Sequence, residues 1–181
     1  MNKNLIAVAV LAASAFTSQA VIAADGTVNF TGTIIETGCE MSSTIDDLTV
    51  PMGTIAASAF NGAGSTPTGN TASSGDFKIR LINCPTTVSK AAVRFDGVSV
   101  DGNDSVLALT QGAGVATGVG IQITDPANKV VSMHKDSTMT TLSHTEENVL
   151  KFVARYYATA AKVEAGTANA AAAFTIQYER D

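Results

Sequence analysis

The sequence predicts an all-β sandwich, and three features of its 181 residues carry that prediction. Two stretches far apart, residues 27–34 and 172–179, alternate apolar and polar side chains with the period of two that a half-buried strand requires. Between them, short apolar runs are separated by clusters of Gly, Pro, Asn and Ser, with no sustained helical period. Only two cysteines occur, Cys39 and Cys84, and both follow a segment that reads as an export leader.

That leader is residues 1–23. Lys3 supplies the positive start, residues 5–16 form an apolar and small-residue run, and Val21-Ile22-Ala23 precedes an expected cut before Ala24, give or take one residue. A membrane anchor would need about twenty apolar residues, whereas Ser14, Thr17, Ser18 and Gln19 interrupt this run. No later segment is long and apolar enough to span a bilayer as a helix, so a mature chain that is soluble, or assembled outside the cytoplasm, is expected. Losing Lys3 leaves 10 basic and 16 acidic residues, a net charge of −6. Such a balance argues against nucleic acid and anionic lipid as partners. Charged residues make up 15% of the chain, against roughly 25% in ordinary globular domains. Much of the surface is therefore Ser, Thr, Ala, Gly and Asn, or is covered by other subunits. The remaining 158 residues suit one domain with a substantial core.

Along the mature chain, the first element is the strand at 27–34, with Val28, Phe30, Gly32 and Ile34 on one face and Thr27, Asn29, Thr31 and Thr33 on the other. Delivery to an oxidising compartment predicts a disulfide between Cys39 and Cys84. Closing that loop of about 45 residues contributes roughly 4 kcal/mol in the chain-entropy treatment. The absence of a CxxC pair makes a metal or redox site a poor alternative. Residues 55–60 suggest a short helical turn whose type is left open. A break at 61–75 precedes a strand at 77–82, where Phe77, Ile79 and Leu81 alternate with Lys78, Arg80 and Ile82. Further strands are expected at 91–100, 105–109, 119–124, 129–133 and 149–158, with turn-rich breaks at 101–104, 112–118, 125–128 and 166–169. In the last strand, Ala172, Phe174, Ile176 and Tyr178 oppose Ala173, Thr175, Gln177 and Glu179. Short strands, frequent turns and one disulfide indicate a sandwich of the immunoglobulin type, although the Trp that marks antibody domains is absent. A terminal strand with an apolar face is an edge that invites another chain, so the pattern points to assembly before it points to catalysis.

Several segments, taken in order, resemble the pilin subunits of chaperone–usher fimbriae, above all the major subunit of type 1 fimbriae. They are the leader, Gly26-Thr-Val-Asn-Phe-Thr-Gly-Thr-Ile-Ile-Glu running to Cys39, Asn83-Cys84-Pro85, Ser105-Val-Leu-Ala-Leu, Val119-Gly-Ile-Gln-Ile, and Phe152-Val-Ala-Arg-Tyr-Tyr-Ala158. The ending places Gly166 twelve residues before Tyr178. The resemblance implies an immunoglobulin-like sandwich lacking its last strand, completed by a donor strand from a neighbouring subunit, a form of β-strand addition. It divides the chain into the signal peptide 1–23, an N-terminal donor extension 24–36 and a pilin domain 37–181. Val28, Phe30 and Ile34 would fill core pockets of the neighbour, and Gly32 would meet a filled or narrow part of its groove. Gly166, Phe174, Ile176 and Tyr178 would form the acceptor edge and present it to a periplasmic chaperone before an outer-membrane usher exchanges the strand. The implied partners are further copies of the chain and related fimbrial subunits, the chaperone and the usher. Because donor and acceptor surfaces differ, the contact is heterologous and builds a filament.

The family's tyrosine is normally next to last, whereas Glu179, Arg180 and Asp181 follow Tyr178 here, and only Ala24, Asp25 and Gly26 precede Thr27 after the expected cut. These departures keep open a minor or adaptor role beside the shaft role. A self-sufficient secreted immunoglobulin-like binding module is a further alternative, and an exported hydrolase a distant one. His134 and His144, with Asp136 and Ser143 nearby, lack a nucleophile motif and read as surface histidines. Asp101-Gly-Asn-Asp-Ser reads as a turn, since the later Glu of a calcium loop is missing. Gly112, Gly114, Gly118 and Gly120 lack a helix-starting phosphate cradle and read as a flexible hairpin. The sequons at Asn29 and Asn103 are set aside, because a glycan on Asn29 would obstruct strand pairing. Arg155, Tyr156 and Tyr157 lie in a strand that is partly core. No catalytic residue, cofactor, metal or small-molecule substrate is assigned.

Overall fold

The computed structural model of the chain describes residues 28–42, 48–60 and 68–180. The expected signal peptide 1–23, the cut before Ala24, the start of the first strand at Thr27 and the break at 61–67 lie outside the described residues. The chain divides into two compact units, Met1–Ile34 and Ile35–Asp181. In the first, residues 28–34 carry no strand ladder, and Val28, Phe30 and Ile34 are 75%, 92% and 97% exposed. Alternation supplies a strand's faces, but a strand also needs a hydrogen-bonded neighbour to count as one.

Among its described residues the second unit is all-β apart from one 3₁₀ turn at Ala57–Phe60, which realises the helical turn expected at 55–60. The described residues hold nine strands, in chain order β1 Glu40–Met41, β2 Thr71–Ile82, β3 Lys90–Asp96, β4 Ser99–Val100, β5 Asn103–Leu107, β6 Val119–Thr124, β7 Thr140–Thr141, β8 Asn148–Ala158 and β9 Ala173–Glu179. They form a six-stranded sheet, β1-β2-β8-β6-β5-β4, and a three-stranded sheet, β7-β3-β9, packed as a sandwich. Every ladder is antiparallel. Among the described residues no helix is long and apolar enough to cross a membrane.

The inward faces are those that alternation selects. Phe77, Ile79 and Leu81 of β2 and Leu150, Phe152, Ala154 and Tyr156 of β8 are buried, as are Ala91, Val93 and Phe95 of β3. Phe77 and Phe152 are register partners within one sheet and stack at 5.4 Å, while Phe95 of the other sheet meets both edge-on at 5.9 and 5.2 Å. Such aromatic geometry adds about 0.5–1.5 kcal/mol per pair beyond area burial, and here it locks one layer onto the other.

Five further expectations need correction. The strand expected at 91–100 is two strands in different sheets, because the chain changes layer at Gly97, where a β-carbon would collide with Leu107 and Ala172. Residues 129–133 are not a strand. Val131 and Met133 are buried, as alternation predicts, but their amides bond in turn to Ile123 of β6 and Asp104 of β5, and His134 then bonds to Phe95 of β3. A segment that changes partner every few residues while crossing between layers builds no ladder. The break expected to last to Gly75 ends at Thr71, since β2 continues through a bulge between Ala72 and Gly75. The break at 101–104 and the strand at 105–109 also shift, with β5 starting at Asn103 and ending at Leu107.

Candidate functional site

β9 pairs with β3 over its whole length, from Asp96↔Ala173 to Lys90↔Glu179, and among the described residues its other side has no strand beside it. Phe174, Ile176 and Tyr178 are half-buried against the core, while Ala173, Thr175 and Glu179 are exposed. Along this edge lies a groove of about 1220 Å³. Core side chains line it: Phe77, Phe95, Ile121, Ile123, Ala154 and Tyr156. So do residues 168–176 on the β9 side and Leu48, Val50, Pro51 and Met52 of the segment before the 3₁₀ turn. A sandwich whose core lines an open groove beside a bare strand edge lacks one strand.

Local chemistry holds both walls. Ser73 takes a left-handed backbone (φ 57°) in the β2 bulge, and its hydroxyl donates to the Met52 carbonyl at 2.6 Å. At Gly75 a β-carbon would stand 2.5 Å from Val50 Cγ1 and 3.2 Å from Met52 Sδ, so glycine is what lets residues 50–52 lie against β2. On the other side, the buried Tyr156 hydroxyl donates to the Ala168 carbonyl at 3.0 Å, and burial pushes its phenol pKa up.

Of the expected acceptor residues, Phe174 and Ile176 line the groove. Tyr178 ends the same face, where its Oη accepts a hydrogen bond from the Cys39 amide at 3.0 Å. Burial raises the Tyr178 phenol pKa against the lowering effect of that bond. Gly166 stands apart from the groove lining. There a β-carbon would collide with the backbone of residues 114–116, against which Val115 and Thr167 form a parallel bridge. The Cys39–Cys84 disulfide is present and joins the segment before β1 to the residues just after β2. At Gly32, the expected donor glycine, a β-carbon meets open space.

The other polar candidates do not converge. His134 pairs with Asp96 at 3.1 Å on the surface, and His144 Nε2 donates to the Val88 carbonyl at 2.9 Å. Among the described residues no three His, Cys, Asp or Glu side chains gather as a metal site. Sequence reasoning missed the wall at 48–53, which has no alternation and whose signal, the Ser73 to Gly75 bulge, lies on another element.

Residues 28–179 match the family model described as Fimbrial protein. The chain is 37% identical to the type-1 fimbrial protein A chain of Escherichia coli (strain K12), covering 99% of this chain and 100% of that one. It is 36% identical to long polar fimbria protein A of Salmonella typhimurium (strain LT2), over 97% and 94% of the two chains. A chain from a solved chaperone–usher pilus, in work on rod uncoiling, superposes with a TM-score of 0.63 at 26% identity, over 86% of this chain and 96% of that one. With its incomplete immunoglobulin-like sandwich, the chain belongs to the fimbrial protein family, the structural subunits of chaperone–usher pili.

Proposed function

We propose that the chain builds the shaft of a surface fimbria used in cell adhesion by donor-strand exchange, giving residues 27–34 to a neighbour's groove and receiving the same segment in its own. The observation that carries this function is the groove of about 1220 Å³, lined by core residues and bounded by the edge of β9 that no strand pairs with among the described residues. The exposed Val28, Phe30 and Ile34 are its complement. Burying one Val, one Phe and one Ile at roughly 1.5–3 kcal/mol each gives about 5–9 kcal/mol, before the hydrogen bonds of a new ladder. Release then demands partial unfolding of the acceptor, which makes the polymer persist for kinetic reasons. A periplasmic chaperone would cover the same edge first, and the outer-membrane usher would be where the strands exchange.

The test is a denaturing gel of protein sheared from the native cell surface, unheated and after boiling in acid. A ladder of multiples that collapses to one mature-size band is expected. A lone mature-size band in both lanes would overturn the shaft role.

A further inference from the structure

Tyr178 touches two places that the proposed assembly would use separately. It ends the groove-facing row of β9, and its hydroxyl accepts the Cys39 amide proton at 3.0 Å while lying 3.5 Å from the Cys39 carbonyl. Its ring also lies over Gly38, where a β-carbon would stand 2.7 Å from Cε2 and 3.0 Å from Oη. Gly38 is thus small because the ring occupies its side-chain space. Residues 38 and 39 follow the donor segment by only a few residues, and Cys39 is tied onward to Cys84. The backbone at the root of the arm is held from one side by the disulfide and from the other by the last apolar residue of the acceptor strand.

We infer that Tyr178 is a positioning residue that latches the root of the subunit's own donor arm to its acceptor strand, and so links two successive junctions of the fibre. The inference rests on the strand exchange proposed above. A subunit's arm enters one neighbour while β9 receives the arm of the other. A hydrogen bond from the arm's root to β9 fixes one junction relative to the next, which a plain groove-wall residue would not do. The hydroxyl carries this role, and the ring carries the packing.

Tyr178→Phe separates the two. Fibres of this variant should still give the heat-sensitive ladder, because the ring is kept. Hydrogen–deuterium exchange at the Cys39 amide should run roughly five- to tenfold faster than in wild-type fibres, the value of one lost hydrogen bond, with the β3–β9 amides unchanged. Electron micrographs should show a broader spread of subunit-to-subunit angles. Gly38→Ala keeps the hydroxyl but displaces the ring, and should reproduce the faster Cys39 exchange. Unchanged Cys39 exchange in both variants would overturn the latch. So would loss of the ladder in Tyr178→Phe with Cys39 still protected, since the tyrosine would then serve the groove alone. A wild-type chain that gives no ladder would overturn the strand exchange itself, and with it the link between junctions.

Discussion

The three-stranded sheet has two edges, and the chain treats them in opposite ways. On the outer side of β3, residues 134–142 run along the strand as an irregular strap. His134 donates its amide to Phe95, Asp136 salt-bridges Arg94, Ser137 bonds Val93 through both its amide and its hydroxyl, and β7 pairs with Lys90 and Ala91. The positive φ of His134 (60°) and the two-residue length of β7 leave no flat ladder for another strand to join. On the other side, β9 offers seven regular residues with an apolar face and, among the described residues, no strand beyond it. Blunting one edge with charges, turns and a short strand is how sheets avoid unwanted pairing. Within this sheet that leaves β9 as the edge open to another strand, which is the asymmetry the proposed exchange would use.

The contrast can be broken most completely on the open side. Gly32→Leu should leave the chaperone-bound subunit folded, since a side chain there meets open space in the subunit itself, and should abolish the ladder on unheated gels if Gly32 meets a filled or narrow part of a neighbour's groove, as proposed. Normal polymers from this variant would remove Gly32 from the donor role. The next largest effect belongs to the anchor beside the open edge. Replacing Cys39 and Cys84 with Ser should cost about 4 kcal/mol for a loop of this length, read as a fall in periplasmic yield.

The closed side answers to Asp125. Its buried carboxylate accepts hydrogen bonds from the amides of Ala127 and Lys129 and from the Thr138 hydroxyl, at 3.0, 2.9 and 2.7 Å, and so pins both the turn before the strap and the strap itself. Burial pushes the Asp125 pKa up, but the bonds from Thr138, Lys129 and Ala127 and the Lys129 charge outweigh it and hold it below its ordinary 3.8. The unfolded chain therefore takes up this proton first as pH falls. The stabilisation is complete above the ordinary value and is lost as pH drops through the lowered one. Asp125→Ala should destabilise by about 2–3 kcal/mol, and Asp125→Asn should flatten the acid limb of fibre unfolding followed by circular dichroism. An unchanged acid limb would place the titration elsewhere. Least affected should be Arg94→Ala, which removes a half-exposed salt bridge at 2.9 Å. Such pairs are worth under about 1 kcal/mol, so a small shift in urea midpoint is expected with the ladder intact.

What sequence could reveal divides along the same line. The strand expected at 119–124 is β6 residue for residue, and those expected at 149–158 and 172–179 differ from β8 and β9 by one residue each. These strands keep the same partners along their length, so every second side chain is selected for one core. The pattern fails where partners change. Val131 and Met133 alternate faultlessly, yet they sit in a crossing between layers, and the run from Ala91 to Val100 hides a change of sheet at Gly97. β1 and β7 are two residues long and leave no period to read. Half of the candidate site was legible, namely the faces of Phe174, Ile176 and Tyr178 and the cysteine pair. The wall at 48–53 was not, because its position is set by a hydroxyl on Ser73 and by missing bulk at Gly75.

The place of the disulfide has a mechanical consequence. In a fibre joined arm to groove, tension on a subunit enters at the arm's root and meets Cys39 within a few residues. From there the covalent bond to Cys84 delivers it to the end of β2, which is laddered to β8 in the middle of the larger sheet. At the opposite junction the pull arrives along β9 and spreads as shear over seven register pairs to β3. In the proposed fibre, tension would thus enter the body of a subunit by a covalent staple and be shared at its other end among seven register pairs, not concentrated on one hydrogen bond within the subunit.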